Sequence, residues 1–251
     1  MPNRVHERCR ALRDRLYPRE QWPGVVFERV LAEAGGPDRT LLELGCGRDA
    51  RLLRRLAPHY GFAWGVDLEV AATPAPGERW ELRCGDAHRI PLDDAGVDVV
   101  AMKNVLEHLE RPAEALAECA RVLRPGGQLV ALTVNQWFPP IALARMLPHR
   151  VRQRLNHVAS GTAPDDTFPA VYRANTARQL VNLARQAGLR PVGIDYLSTH
   201  PHYLMFSVTA YRLGVLLERV VRRLNVLRHW RQFLYATFVR PTEEPSCPTT
   251  R

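Results

Sequence analysis

A doubly wound α/β sheet is the architecture that this 251-residue sequence predicts. Short apolar runs rich in Val and Leu alternate with helical-period segments between residues 40 and 134, and the breaks between them are compact and rich in glycine and proline. Strands that alternate with helices at this pace pair in parallel through right-handed crossovers. A composition that is 46% apolar and 24% charged supports one large folded domain and excludes disorder for most of the chain.

Residues 4–16 and 24–34 read as amphipathic helices, the second stopped by Gly35-Gly36-Pro37. The first strand is 40–44, followed by a glycine-rich turn and a helix over 50–56. Strands follow at 62–66, 80–84 and 97–102. A helix over 112–123 is broken by Pro125-Gly126-Gly127, and 128–134 is the fifth strand. After Asn135 the rhythm changes. Residues 136–174 hold paired prolines, an arginine-rich run and a polar turn over 160–166, and read as an insertion on the substrate side, over the carboxyl edge of the sheet. A helix over 176–187 closes at Gly188, a sixth strand spans 190–197, an amphipathic helix 203–224 and a last strand 232–239. The expected organisation is one domain over 1–240, with a core at 36–135, the insertion at 136–174 and a C-terminal part at 175–240. A Pro-rich tail, 241–251, is expected to be disordered.

The net charge of +9 is local. All 35 basic residues except Lys103 are arginine, which suggests codon bias at least as much as ligand selection. Arg145, Arg150, Arg152 and Arg154 give +4, and the stretch from Arg212 to Arg231, with Glu218 as its single acid, gives +5; the rest of the chain is neutral. A general nucleic-acid binder spreads its charge over one face of the main domain, so no nucleic-acid partner is expected. The 20 residues without charge over 125–144 are broken by Pro125-Gly126-Gly127, Asn135-Gln136 and Pro139-Pro140, and the apolar run 202–217 is interrupted by Arg212, so no spanning helix is expected; Met1 precedes Arg- and Glu-rich sequence with no leader pattern. Cys9, Cys46, Cys84, Cys119 and Cys247 are scattered and never spaced as C-x-x-C. Neither a disulfide framework nor a zinc site is expected, and a reducing cytoplasm is.

The chemistry-bearing signal begins at Glu43-Leu44-Gly45-Cys46-Gly47. Glycines at i and i+2 after a strand let the backbone turn sharply and approach a ligand, at which the next helix aims its N–H groups. Alone, this segment also fits the dinucleotide fingerprint, with Ala50 in the third small position. Asp67 ends the second strand 20 residues after Gly47, where one carboxylate can accept both hydroxyls of a ribose. Glu43 would sit badly beside a pyrophosphate and well beside an ammonium group. Gly85-Asp86-Ala87 follows the third strand at a position suited to an adenine edge. Lys103-Asn104-Val105-Leu106-Glu107-His108-Leu109 leaves the fourth strand, and Arg121-Val122-Leu123-Arg124-Pro125-Gly126-Gly127 leads into the fifth.

Taken in order, E-L-G-C-G, V-D, G-D-A, L-E-H-L and R-V-L-R-P-G-G resemble the class I S-adenosylmethionine-dependent methyltransferases, and among them the small-molecule group with a methyltransferase 11-type domain. The resemblance covers about 36–135 fully and the chain after 175 more loosely. It implies that Glu43, Gly45 and Gly47 hold the amino-acid end of S-adenosylmethionine, that Asp67 takes the ribose hydroxyls, and that Leu68 packs on adenine. It further implies that Asp86 and Ala87 read the adenine edge and that Asn104 or Lys103 touches the methionine moiety. The implied fold is a Rossmann-like seven-stranded sheet with helices on both faces and an antiparallel last strand. The implied reaction is a direct displacement that needs no metal. One departure is Asp49, where many relatives have a third glycine, so the loop is expected to be tighter or more polar here.

His108 carries two readings: a general base beside the acceptor, or a structural histidine in the loop after the fourth strand. Acceptor contacts are expected from the insertion, from Asp165-Asp166-Thr167-Phe168-Pro169 and above all from Tyr172 and Arg173; Asn175-Thr176 is equally readable as a helix N-cap. The function expected is methyl transfer to oxygen of a small-molecule, glycan or lipid-linked acceptor. An RNA-directed enzyme is the weaker reading, because Lys103-Asn104-Val105-Leu106 stands where an N-P-P-Y/F tetrapeptide would be. A nicotinamide oxidoreductase is opposed by Glu43 and Asp86, and a non-catalytic binding module by the intact Glu43, Asp67 and Asp86. Finally, apolar residues interleaved with arginine from Tyr203 onward, and around Trp137-Phe138-Pro139-Pro140 with Met146-Leu147, suit a lipid interface; packing over the sheet and a homodimer compete for the same surface.

Overall fold

Alternation along Gly36–Leu44 (β1) explains how the sheet is buried. Leu42 and Leu44 point to one side and Leu41 to the other, and all three are inaccessible to solvent or nearly so. In a computed structural model, which describes residues 4–146 and 170–242, β1 is joined by Tyr60–Asp67 (β2), Trp80–Cys84 (β3), Val97–Lys103 (β4), Leu123–Val134 (β5), Arg190–Leu197 (β6) and Phe233–Val239 (β7). The seven strands form one sheet in the order β3-β2-β1-β4-β5-β7-β6. β1 to β5 are parallel, and β7 runs antiparallel to both β5 and β6. The last strand is thus antiparallel as expected, and it lies inside the sheet, with β6 outside it.

On one face Leu42, Leu44, Val66, Val100, Met102, Leu129 and Ala131 pack with Leu116 and Cys119 of Pro112–Val122 (α4) and with Leu180 and Ala184 of a later helix, Ala177–Gln186. On the other, Leu41, Ala63, Val99, Ala101, Val130 and Leu132 meet Phe27 and Leu31 of Pro23–Glu33 (α2) and Leu53 and Leu56 of Arg51–Leu56 (α3). Odd and even positions of the same strands serve the two faces, as a three-layer fold requires. The first helix, Arg4–Leu16 (α1), does not touch the sheet core. Its Cys9, with Tyr17, packs on Tyr211 and Val215 of Val208–Arg223. In chain order, Pro139–Met146, Ala177–Gln186 and Val208–Arg223 are α5, α6 and α7.

Three boundaries differ from the sequence reading by more than two residues. β1 begins at Gly36 inside the Gly-Gly-Pro break, because Gly36 pairs with Tyr60 across a register shift before Thr40. β5 likewise begins at Leu123 and carries Pro125-Gly126-Gly127 within it, where the register with β4 shifts between Val97 and Val99. Glycine and proline here mark bulges, not strand ends. The helix expected over 203–224 is interrupted: His202–Leu204 is a single 3-10 turn, Ser207 then caps α7 by accepting from the Ala210 N–H at 3.4 Å, and a 3-10 stretch, Asn225–Trp230, follows the helix. Of the expected tail, residues 243–251 lie outside the described residues, as do 147–169 of the insertion. At the end of β7, Arg240 donates to the carbonyls of Ala120, at 2.8 Å, and Arg121, at 3.1 Å, fastening the last strand to the C-terminal turn of α4. Among the described residues no helix is long and apolar enough to cross a membrane.

Candidate functional site

The carboxyl ends of β3, β2, β1 and β4 lie side by side, and the reversal of strand order between β1 and β4 leaves a crevice there. Glu43 pairs with Gly65 and Ala101, Leu44 with Val66 and Met102, and Asp67 with Cys84. The register therefore brings the glycine loop, Asp67, Gly85-Asp86 and Lys103-Asn104 to one edge. Strand alternation puts Glu43 on the same face as Leu41, toward α2 and α3. It is only 4% exposed, and its Oε2 has no hydrogen-bond partner among the described residues. Burial pushes its carboxyl up to about 7, against the lowering effects of a Leu53 backbone hydrogen bond and the Lys103 charge. Lys103 bends toward the start of α2, where a Cβ on Gly24 would lie 3.3 Å from its Nζ.

The loop above Glu43 depends on its glycines. Gly45 (φ +78°) sits against Val105, which leaves no room for a Cβ, and its N–H donates to Val66 O at 2.8 Å. Gly47 (φ +69°) has no heavy atom within 4 Å of where a Cβ would be, so its backbone faces open space. Its N–H donates to Asp67 Oδ2 at 2.7 Å, tying the loop to the end of β2. Leu68 follows with half of its side chain exposed. Asp49, in place of a third glycine, is exposed and ion-paired with Arg51 at 2.9 Å, and the left-handed conformation falls on Ala50 instead (φ +49°).

Asp86 caps its own turn. Its Oδ1 accepts from the His88 N–H at 2.9 Å and contacts His88 Nδ1 at 2.6 Å, and the backbone donor holds its carboxyl below the usual range. Ala87 beside it packs partly on the core. Asn104 is exposed, adopts φ +56°, and donates its N–H to Leu132 O at 2.8 Å. A non-glycine residue in that region at the end of a central strand is uncommon and marks a place held by its surroundings. His108 is half-buried and closes a 3-10 turn through its N–H to Val105 O at 2.9 Å.

Sequence reasoning passed over Glu107. Its carboxylate is buried at the top of the sheet, where Thr133 Oγ1 donates to Oε2 at 2.6 Å. Asn175 Nδ2 in turn donates to Thr133 Oγ1 at 2.7 Å and to Val134 O at 3.0 Å. The Glu107 carbonyl accepts from the N–H groups of Val171, at 2.8 Å, and Tyr172, at 3.2 Å. Arg173 Nη1 reaches Glu110 O at 2.6 Å. Tyr172 and Arg173 are thus fastened to the turn that holds His108, while Asp165 to Pro169 lie outside the described residues. The Asn175-Thr176 pair divides its work: Thr176 is the N-cap of α6, accepting from Gln179 N at 3.1 Å, and Asn175 belongs to the buried network. The available signal was a Glu flanked by Leu106 and His108-Leu109 in an otherwise apolar turn. Thr133→Val keeps the shape and removes the shared hydroxyl, stranding a buried carboxylate. It is expected to cost about 1–3 kcal/mol by chemical denaturation, and an unchanged midpoint would show that the network carries no stability.

A family model described as a methyltransferase domain matches residues 42–131, the stretch that holds the crevice. Over 192 residues the chain is 33% identical to a protein named ubiquinone biosynthesis O-methyltransferase from Maricaulis maris, covering 71% of each chain. Over 117 residues it is 38% identical to a "Probable S-adenosylmethionine-dependent methyltransferase" from Mycolicibacterium smegmatis, covering 45% of this chain and 44% of that one. The fold is similar to that of geranyl diphosphate C-methyltransferase from Streptomyces coelicolor, solved with S-adenosyl-L-homocysteine. The TM-score is 0.57 at 18% identity, over 94% of this chain and 82% of that one, a likeness of fold alone. The chain spans about half the length of several of the curated relatives it matches. The relative covered over more than two thirds of its length, the matching family model and the seven-stranded topology agree: the chain belongs to the class I S-adenosylmethionine-dependent methyltransferases.

Proposed function

We propose that the protein transfers a methyl group from S-adenosylmethionine to an oxygen of a small-molecule or lipid-linked acceptor. The observation that carries the cofactor reading is Glu43: a buried carboxylate oxygen without a partner, beneath a loop whose Gly47 leaves space for a ligand. Such an atom is costly unless a donor arrives, and the ammonium of an amino acid is a donor of the right charge. Asp67 fits the ribose hydroxyls and exposed Leu68 the adenine face, with Asp86 and Ala87 at the adenine edge and Lys103 and Asn104 near the methionine moiety. The cofactor, when bound, supplies a methyl on a positively charged sulfur. The chain's part is to hold it by these contacts, orient the acceptor in line and exclude water. Transfer to oxygen draws its support from the Maricaulis relative's name.

Glu43 makes this testable. Its folded pKa is raised, so its contribution to stability is full below the ordinary carboxyl value of 4.5 and is lost as pH rises through about 7. Cofactor-free Glu43→Gln is therefore expected to melt higher than wild type at about pH 8 while binding S-adenosylhomocysteine about 10–100-fold more weakly. Wild-type affinity should rise as Glu43 ionises, and the variant should lose that pH dependence. Equal calorimetric affinity in both proteins across the range would remove the assignment.

For His108 we adopt the structural reading, since its turn carries the anchored Glu107. His108→Asn should keep most of the rate toward a phenolic probe. A loss of roughly 10²–10⁴-fold, with disappearance of the acidic limb of the pH–rate profile, would make it the base instead.

We also infer peripheral contact with an anionic bilayer. Leu213, Leu216, Leu217, Val220 and Leu224 form one outward stripe along α7 and are 41–63% exposed; Val226 and Trp230 continue it. Arg212, Arg219 and Arg223 are exposed at helical spacing along one flank, while Glu218, the stretch's single acid, turns inward to Tyr17 at 3.1 Å. Exposed Trp137, Leu143 and Phe206 lie near the carboxyl edge, where Phe138 meets Tyr203 with ring centroids 5.7 Å apart. An apolar stripe beside cations that make no ion pair among the described residues suits anionic headgroups, at about 1 kcal/mol per arginine; a second copy would oppose like charges. Co-sedimentation with phosphatidylserine vesicles at low salt, weakened by Leu216→Glu with Leu217→Glu, is expected. No pelleting on those vesicles, or a concentration-dependent dimer lost in the same variant, would overturn this reading.

A further inference from the structure

A second opening lies on the same edge of the sheet, beyond the cofactor crevice. β6 is parallel to β5, since both run against β7, so the residues after Leu197 emerge on the carboxyl edge that β1 and β4 share, with β5 and β7 between them and β4. There a cavity of about 260 Å³ is lined by Tyr17, Trp22, Tyr196, Ser198, Arg222 and Arg231, among others. Trp22 is also the N-cap residue of α2, and Gly24 of that helix lies against Lys103, so one short stretch of chain borders both openings.

The polar groups of this cavity are unevenly matched. Arg231 makes no ion pair among the described residues. Its Nη1 and Nη2 lean on the carbonyls of Tyr196 and Arg222, each at 3.2 Å, and its buried Nε has no acceptor. Arg222 has one distant carboxylate, Glu218, 3.8 Å from its Nε. Glu218 stands behind the cavity wall, where it accepts from the Tyr17 hydroxyl at 3.1 Å and hydrogen-bonds Ser198, and burial raises its carboxyl. Among the described residues no carboxylate lines the cavity itself. Two guanidinium groups with spare donors are built to take an oxyanion, and guanidinium donors match phosphate and carboxylate in pairs. The three aromatic side chains give the same space flat apolar walls. Trp22 is further backed by Arg13 and Arg19, whose guanidinium carbons lie 5.1 and 5.7 Å from its ring centroid.

We propose that this cavity is an oxyanion subsite of the acceptor, in which Arg231 and Arg222 hold a phosphate or carboxylate while Tyr17, Trp22 and Tyr196 enclose the planar or apolar group that bears it. The assignment deepens the methyl-transfer reading and rests on it: an acceptor anchored here extends along the edge toward Lys103 and Glu43. The acceptor class is then an anionic one, either a soluble phosphorylated or carboxylated aromatic or a lipid with an anionic headgroup.

Phenyl phosphate is the probe for the first source and soluble dihexanoyl phosphatidic acid for the second, each titrated into the full chain saturated with S-adenosylhomocysteine. At least one is expected to bind at millimolar or lower concentration, more weakly as salt rises, and at least tenfold more weakly to Arg231→Gln and to Arg222→Gln. Tighter binding of phenyl phosphate assigns the soluble source, and tighter binding of the lipid the headgroup. Both variants should bind S-adenosylhomocysteine as wild type does, which shows them folded and separates this test from that of Glu43. Should Arg231→Gln fail that control, the exposed Arg222→Gln carries the comparison alone. Binding of neither probe to a wild-type protein that binds S-adenosylhomocysteine, or equal binding by the folded variants, would overturn the subsite.

Discussion

A carboxylate in a strand that water cannot reach is the constraint around which the site is organised. β1 has β2 on one edge and β4 on the other, with helices over both faces. Alternation leaves no choice about Glu43: if Leu42 and Leu44 are to fill one core, Glu43 must enter the other with Leu41. Near the carboxyl end of the strand it can only meet whatever occupies the crevice. Isolated, such a group takes up a proton or raises the cost of folding. Lys103, three strand positions beyond Val100 in β4, lowers that cost by its charge without forming an ion pair with Glu43 within 4 Å. The arrangement leaves the carboxylate available rather than satisfied.

The order of elements was legible because each strand of the central sheet is a short apolar run with its own period, and because glycine at Gly45 and Gly47 has no structural substitute. What could not be read was the outcome of long-range pairing. Gly36 and Pro125 look like strand breakers in isolation, yet neighbouring strands supply hydrogen bonds that carry β1 and β5 through them. The Tyr203–Leu224 segment has a continuous helical period, and only the packing around Tyr203 and the Ser207 cap reveal the interruption. The Glu107–Thr133–Asn175 network joins residues up to 68 positions apart, each unremarkable in its own surroundings. Arg240 carried no sequence signal as the last residue before the expected tail, and it is the last clasp of the sheet.

The helices outside the sandwich divide their labour by face. α7 buries Tyr211 and Val215 against α1, turns Arg222 toward the second cavity, and offers its leucine stripe outward. No single face of a sixteen-residue helix could do this if its apolar residues formed the narrow stripe of an ordinary surface helix; its hydrophobic period is broad enough to serve two sides, with arginine filling the arc between. α1 has no contact with the sheet core and holds its place through α7 alone among the clusters of buried residues, so the two helices form a unit set against the carboxyl edge. Tyr17, at the end of α1, connects that unit to Glu218 and to the cavity wall.

That division also gives the arginine excess a physical reading. A codon bias toward arginine would account for its choice over lysine throughout, but it does not decide where cations collect. Residues 212–231 carry six arginines and one acid, and the acid faces inward. Arginine's long apolar stem lets Arg212, Arg219 and Arg223 lie beside an exposed leucine stripe while their charged ends reach polar surroundings. The same side chain turned inward, as in Arg231, presents a planar fork of donors that meets a phosphate or carboxylate in pairs. Under the proposals made above, one residue type serves the bilayer contact on the outer face of α7 and the anion site on its inner side. Of the net charge of +9, this one corner holds +5, and there an acceptor at a surface and an acceptor in a pocket would meet the same cations.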